Sequence, residues 1–260
     1  MQTFIKQYGE KRTGTNYLRA LLTAACPDAK VLMHVLGDKH EAPPEALLAA
    51  VGALSPRELT LRHASATTHA ADADQEAYTG ALANELEAAL RRRELFFCIS
   101  VKKPYAWAYS ILKQHGAADS RRLPAQRLRL LQTVLSSALH EFNRKYAAWR
   151  QLEEHWPGRS VIVRYETLLD QPAEIIAGIC RKMALPLDAS KAQPIEKIVL
   201  PAHWDFSPPQ THHENFDADF YRSGGYLGKM HATLIEIVDQ QTDWPLMAAY
   251  GYRNVSTFQK

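Results

Sequence analysis

Between Gly9 and Asn16 the chain reads Gly-Glu-Lys-Arg-Thr-Gly-Thr-Asn, with the spacing G-x-x-x-x-G. Set between a strand and a helix, such a loop curls so that successive backbone N–H groups point inward. The helix start adds its partial positive charge, so the chemistry on offer is the binding of a phosphate-like anion. Gly14 lets the backbone approach closely, Thr13 and Thr15 add hydroxyl donors, and Lys11 and Arg12 add full charges. A nucleoside triphosphatase places lysine directly after the second glycine, where it reaches the β- and γ-phosphates, and Ser or Thr next to hold magnesium. Here Thr15 and Asn16 stand in those places, which argues for a ligand whose terminal group carries less charge than a γ-phosphate.

A second cluster begins where the apolar run 96–101 ends in Lys102. Pro104 suits the first turn of a helix, and Ser110 then lies about two turns in, so a cation and a hydroxyl can converge on one phosphate. A third lies in Gly37-Asp38-Lys39-His40-Glu41, after another apolar run. Strand ends in parallel sheets face the ligand crevice, and a group transfer to a hydroxyl or amine needs a base there. His40 is the first candidate and Glu41 or Asp38 the alternative, while His34, inside the apolar run, reads as structural.

The elements that must position these residues alternate. Residues 3–8 read as a strand and 16–25 as a helix through Tyr17, Leu18, Leu21 and Leu22, and further strands are expected at 31–36, 59–61, 95–101 and 160–164. Residues 126–154 place Leu128, Leu131, Leu135, Leu139, Phe142, Tyr146 and Trp149 on one face of a long helix. More helix is expected at 172–183 and at 227–250, broken near Asp243-Trp244-Pro245, with an aromatic-rich ordered loop at 200–225. Strands separated by helices predict an α/β fold, one domain over 1–260 with a central parallel sheet flanked by helices.

Composition bounds the rest. The 260 residues carry 31 Lys plus Arg against 28 Asp plus Glu, a net charge of +3, with 46% hydrophobic residues. That is enough to bury a full core. The charge is uneven, +8 over residues 91–129 and −6 over 41–90, which suits a surface that meets anions. Cys26, Cys98 and Cys180 lie far apart with no CxxC pair and read as buried thiols, fitting a reducing, cytoplasmic compartment. No apolar run reaches the ~20 residues of a membrane span, and no Asp/Glu/His cluster has metal-ligand spacing.

The run Lys11 to Leu18 resembles the 5′-phosphosulfate loop of sulfotransferases, [KR]-[ST]-G-[ST]-x-x-L, with Arg12 as its basic residue. Lys102 and Ser110 resemble that family's 3′-phosphate motif, in which arginine is commoner at the first place. More loosely, Val161 to Leu169 is similar to its strand-to-helix segment v-x-[RY]-Y-E-[DT]-L, and Asn215 to Tyr252 to its C-terminal region. The resemblance implies a P-loop-like nucleotide-binding core and the donor 3′-phosphoadenosine 5′-phosphosulfate (PAPS), which leaves as 3′,5′-adenosine diphosphate, with no metal required. It puts Arg12, Thr13, Gly14, Thr15, Asn16, Lys102, Ser110 and Tyr165 on the nucleotide, and His40, Arg12 and Lys11 in the chemistry. The acceptor, a small molecule or glycan rather than nucleic acid, would be chosen by insertions at 41–94 and 184–225. A P-loop kinase or nucleotide hydrolase, and a non-catalytic nucleotide- or anion-binding module, are the alternatives.

Overall fold

The computed structural model describes residues 3–32, 36–48, 84–92, 94–195, 198–200, 210–212 and 218–254. Four short strands carry apolar side chains on both faces, and a strand of that kind is stable only where both faces are covered. β1 (Thr3–Gly9), β2 (Ala29–Leu32), β3 (Phe96–Val101) and β4 (Ser160–Arg164) pair in parallel in the order β2-β1-β3-β4. Gly9 is level with Ser100 and Val101 with Arg164, so the strands end at one edge.

Alternation along β3 separates two cores. Phe97, Ile99 and Val101 enter one with α4 (Pro104–Gln114), the long α5 (Ala125–His155) and α9 (Ala232–Gln241). Phe96 and Cys98 enter the other with α1 (Thr15–Ala25) and α7 (Pro172–Met183). The remaining described helices are α2 (Glu45–Leu48), α3 (residues 84–91), α6 (Tyr165–Asp170), α8 (Ala218–Arg222) and α10 (Trp244–Ala249). A separate antiparallel pair joins β5 (Ile198–Leu200) to β6 (Gln210–His212).

The expected α/β architecture with a parallel sheet is the one observed, and α5 buries Leu131, Leu135, Leu139, Phe142, Tyr146 and Trp149 as the periodicity requires. Three boundaries differ. β2 begins at Ala29, because Thr3 of β1 pairs two residues before the apolar run starts; residues 33–35, and the strand expected at 59–61, lie outside the described residues. Residues 200–225 are not all loop, since β6 and α8 lie within them. The last helical stretch begins at Ala232 rather than 227, after a single turn at Leu227–Lys229, and it breaks where expected, with the Asp243 carboxylate capping Leu246 N–H at 2.9 Å.

The cysteines require a correction. Cys26 and Cys180, 154 residues apart, are joined as a disulfide that ties the end of α1 to α7. Cys98 alone is a free buried thiol, its pKa pushed up to about 12 by burial. Among the described residues no helix is long and apolar enough to cross a membrane.

Strand order fixes where ligands meet this sheet. The chain runs from β1 outward to β2 and then returns past β1 to β3. The loops leaving β1 and β3 therefore diverge in direction while adjoining in space, the crevice where open α/β sheets take their ligands.

Candidate functional site

The loop after β1 is held from inside. Glu10, 5% exposed, accepts Lys11 N–H at 2.8 Å through one carboxylate oxygen and pairs with Lys145 of α5 at 2.6 Å through the other. Its carbonyl accepts both the backbone N–H and the hydroxyl of Thr13, at 3.2 and 2.7 Å. The Thr13 hydroxyl proton, expected for the anion, is thus engaged within the loop. Gly9 N–H donates to Lys39 carbonyl at 2.8 Å.

Two residues of the loop are left-handed, Arg12 at φ 70° and Gly14 at φ 78°. At Gly14 only glycine fits, because a Cβ there would stand 2.4 and 2.6 Å from the Tyr165 ring. Arg12 holds the conformation at a cost of about 1–2 kcal/mol, with its carbonyl accepting from Lys102 Nζ at 3.2 Å. Its side chain and that of Lys11 are exposed, while Thr15 is buried. α1 then starts with Leu18 N–H on Gly14 carbonyl at 2.9 Å.

Lys102 connects the first cluster to the second. Its ammonium donates to Ser110 Oγ at 2.9 Å and lies 4.5 Å from the Tyr165 ring centre and 4.3 Å from that of Tyr221. The aromatic faces offer the cation a partial counter-charge in a site that is 2% exposed. Ser110 Oγ also reaches Ala106 carbonyl at 2.9 Å and Tyr221 hydroxyl at 3.4 Å. The corner carrying Lys102 is pinned twice more: Lys102 N–H donates to Tyr146 hydroxyl at 3.1 Å, and Lys103 N–H to Glu166 at 2.9 Å. Glu166 in turn accepts from Tyr252 hydroxyl at 2.8 Å, which ties the Tyr-Glu segment to the C-terminal region.

The third cluster flanks the loop on its other side. Asp38 accepts His40 N–H at 2.8 Å, and Trp149 of α5 donates to Glu41 carbonyl at 3.2 Å, so this turn is fixed against α5. His40 Nδ1 lies 2.7 Å from Gly9 carbonyl. A carbonyl only accepts, so Nδ1 carries the proton and Nε2 keeps its lone pair. Burial lowers the His40 pKa to about 4; the Gly9 bond opposes this, Lys39 and Lys11 add to it, and Asp38 opposes. The unperturbed value near 6.5 anticipated for a loop histidine therefore does not hold. Asp38 serves as the cap of the turn, and Glu41 is exposed.

The structure thus brings Arg12, Thr13, Gly14, Thr15, Lys102, Ser110 and Tyr165 to one crevice, with Lys11 and His40 at its side. Sequence reasoning missed four partners. Lys39, 8% exposed, donates to Asn16 Oδ1 at 2.7 Å; Tyr221 covers Lys102; Glu10–Lys145 braces the loop; Glu166 braces the corner. The residues left traces, Tyr221 in the aromatic richness of 200–225, Lys39 in the cluster 37–41 and Glu166 in the Tyr-Glu segment, but their contacts did not. Among the described residues no group of three His, Cys, Asp or Glu could hold a metal ion.

No family model matches the chain, and no curated protein does. Among solved structures it is similar to the sulfotransferase domain from the Synechococcus PCC 7002 olefin synthase. The TM-score is 0.41 at 16% identity over 96% of this chain and 94% of that domain, a likeness too distant to bear on activity.

Proposed function

We propose that the protein is a sulfotransferase that takes PAPS at the crevice between β1 and β3 and passes the sulfuryl group to a hydroxyl or amine. The observation that carries this reading is Lys102. One ammonium, 90 residues from Arg12 in the chain, reaches both the carbonyl of Arg12 and the hydroxyl of Ser110, so the two motifs are parts of one site. The fit to a nucleotide with two separate phosphates rests on that convergence and on Gly14, where the loop lies against Tyr165 too closely for any side chain.

PAPS supplies the electrophilic sulfuryl group and a phosphate leaving group. The chain's residues supply the rest. Arg12 and the loop N–H groups face the leaving phosphate and neutralise charge as it grows, and Lys102 with Ser110 holds the 3′-phosphate. His40, neutral at pH 7 with Nε2 unprotonated, takes the proton of the acceptor, and Lys11 stands beside it.

The test is transfer itself. Incubation with sulfur-labelled PAPS and a panel of hydroxyl and amine acceptors is expected to move label into an organic product with equal release of 3′,5′-adenosine diphosphate. Phosphoryl transfer by a P-loop kinase is the second reading, favoured by one observation: Lys39 brings a cation to Asn16, beside the place where a triphosphatase keeps its loop lysine. Magnesium-dependent consumption of ATP with all label left in PAPS would select it.

A further inference from the structure

A groove of about 220 Å³ opens on the outer side of the phosphate loop, between α4 and α5. These helices run antiparallel here, since Trp107 packs on Phe142 at 4.5 Å while His115 carbonyl meets Arg127 further along. Its middle is apolar, formed by Trp107, Ile111, Val134 and Ala138. One end is Glu10, Lys11 and Lys145, and the other is Gln114 and His115; Lys11 is near enough to His40 for its charge to act on the ring. From Val134 to Lys145 the groove follows eleven residues of helix, about 16 Å, and Arg127 lies about 10 Å beyond.

The charges decide what fits. Glu10 is neutralised by Lys145 and Glu141 by Arg144. Lys11 and Arg127 are exposed and form no ion pair among the described residues. Arg127 donates to His115 carbonyl at 2.6 Å, which holds its guanidinium at the groove's far end with other N–H groups to spare. A cation at each end and an apolar strip between them admit a molecule with a hydroxyl at one end and an anion at the other.

We propose that this groove is the acceptor site and that the acceptor is an anionic amphiphile. Its hydroxyl or amine lies at the Lys11 end, towards His40, its apolar chain along Trp107, Ile111, Val134 and Ala138, and its carboxylate or phosphate against Arg127. The assignment rests on the sulfuryl-transfer reading for its purpose, but its binding chemistry is tested without it.

The probe is 12-hydroxydodecanoic acid, titrated beside dodecane-1,12-diol, with 3′,5′-adenosine diphosphate titrated in parallel. The acid is expected to bind ~10-fold or more tightly than the diol, the worth of one charged hydrogen bond. Arg127→Glu reduces that preference while leaving diol affinity unchanged, and Ala138→Phe weakens both ligands. Equal affinity for acid and diol, a preference that survives Arg127→Glu, or binding indifferent to Ala138→Phe overturns the groove assignment. A protein that takes the hydroxy acid but not the nucleotide overturns the sulfuryl-transfer reading and leaves the groove standing. One that takes the nucleotide but not the acid overturns the groove alone.

Discussion

In the proposed reaction His40 and Arg12 divide the chemistry between a proton and a charge, and each makes a separable expectation. His40→Ala leaves nucleotide affinity nearly unchanged while transfer falls ~10²–10⁴-fold, the usual worth of a positioned base. The pH profile shows the state of the ring: with its pKa lowered to about 4 by burial, the acidic limb of the wild-type rate lies near pH 4 and vanishes in the variant. A limb near 6.5 would mean that the ring is not buried as described, since burial is what lowers it. Stability follows the same ring. Above pH 6.5 the ring is neutral in folded and unfolded chains alike, and between 6.5 and 4 only the unfolded chain takes the proton. Stability therefore declines through that window in the wild type and less so in His40→Gln, as denaturant midpoints would register. Arg12→Ala lowers turnover more than nucleotide affinity, by roughly a hundredfold or more, since charge on the leaving phosphate grows as the sulfur–oxygen bond breaks. Gly14→Ala acts earlier: the Tyr165 ring occupies the place of the new methyl, and loss of 3′,5′-adenosine diphosphate binding measures it.

At the scale of elements, β1 and β3 deliver their loops to one crevice because β2 lies on the far side of β1. Ser110→Ala is the clean probe of the β3 side, since it removes a hydroxyl from a helix without emptying the core. It weakens ligands bearing a 3′-phosphate and barely affects adenosine 5′-phosphosulfate, and equal loss for both would remove Ser110 from the site. Lys102→Ala does more, because the same ammonium also holds Arg12 carbonyl and fills the space between Tyr165 and Tyr221. What was legible in the sequence was local. The Gly9 to Asn16 loop and the eight-residue step from Lys102 to Ser110 declare themselves because one strand–loop–helix unit contains each. The contact of Tyr221 was not legible: its hydroxyl meets Ser110 across 111 residues, and no local spacing encodes that. Lys39 at Asn16 was hidden for the same reason, as was the division of the 200–225 segment into a strand and a short helix.

Over the whole molecule, the loop from Gly9 to Asn16 is braced from both layers. The Glu10–Lys145 pair ties it to α5, and the Cys26–Cys180 disulfide ties the far end of its helix to α7. Three isolated thiols were the natural reading of the sequence, because only the packing of α1 on α7 brings two of them together. Cys26→Ser with Cys180→Ser is expected to cost about 2–5 kcal/mol, as loss of a native cross-link commonly does. A lower melting temperature and two additional alkylated thiols in the reduced wild type would report it. The central claim is that two loops, from β1 and β3, grip the two phosphates of one nucleotide through backbone, hydroxyl and cationic groups. Its most direct test is titration of 3′,5′-adenosine diphosphate in EDTA, beside 5′-adenosine monophosphate, into wild-type and Ser110→Ala protein. The account predicts metal-free binding, a preference of ~10-fold or more for the ligand with the 3′-phosphate, and loss of most of that preference in the variant. Equal affinity for the two nucleotides in the wild type, or binding that appears only when magnesium is restored, would contradict it.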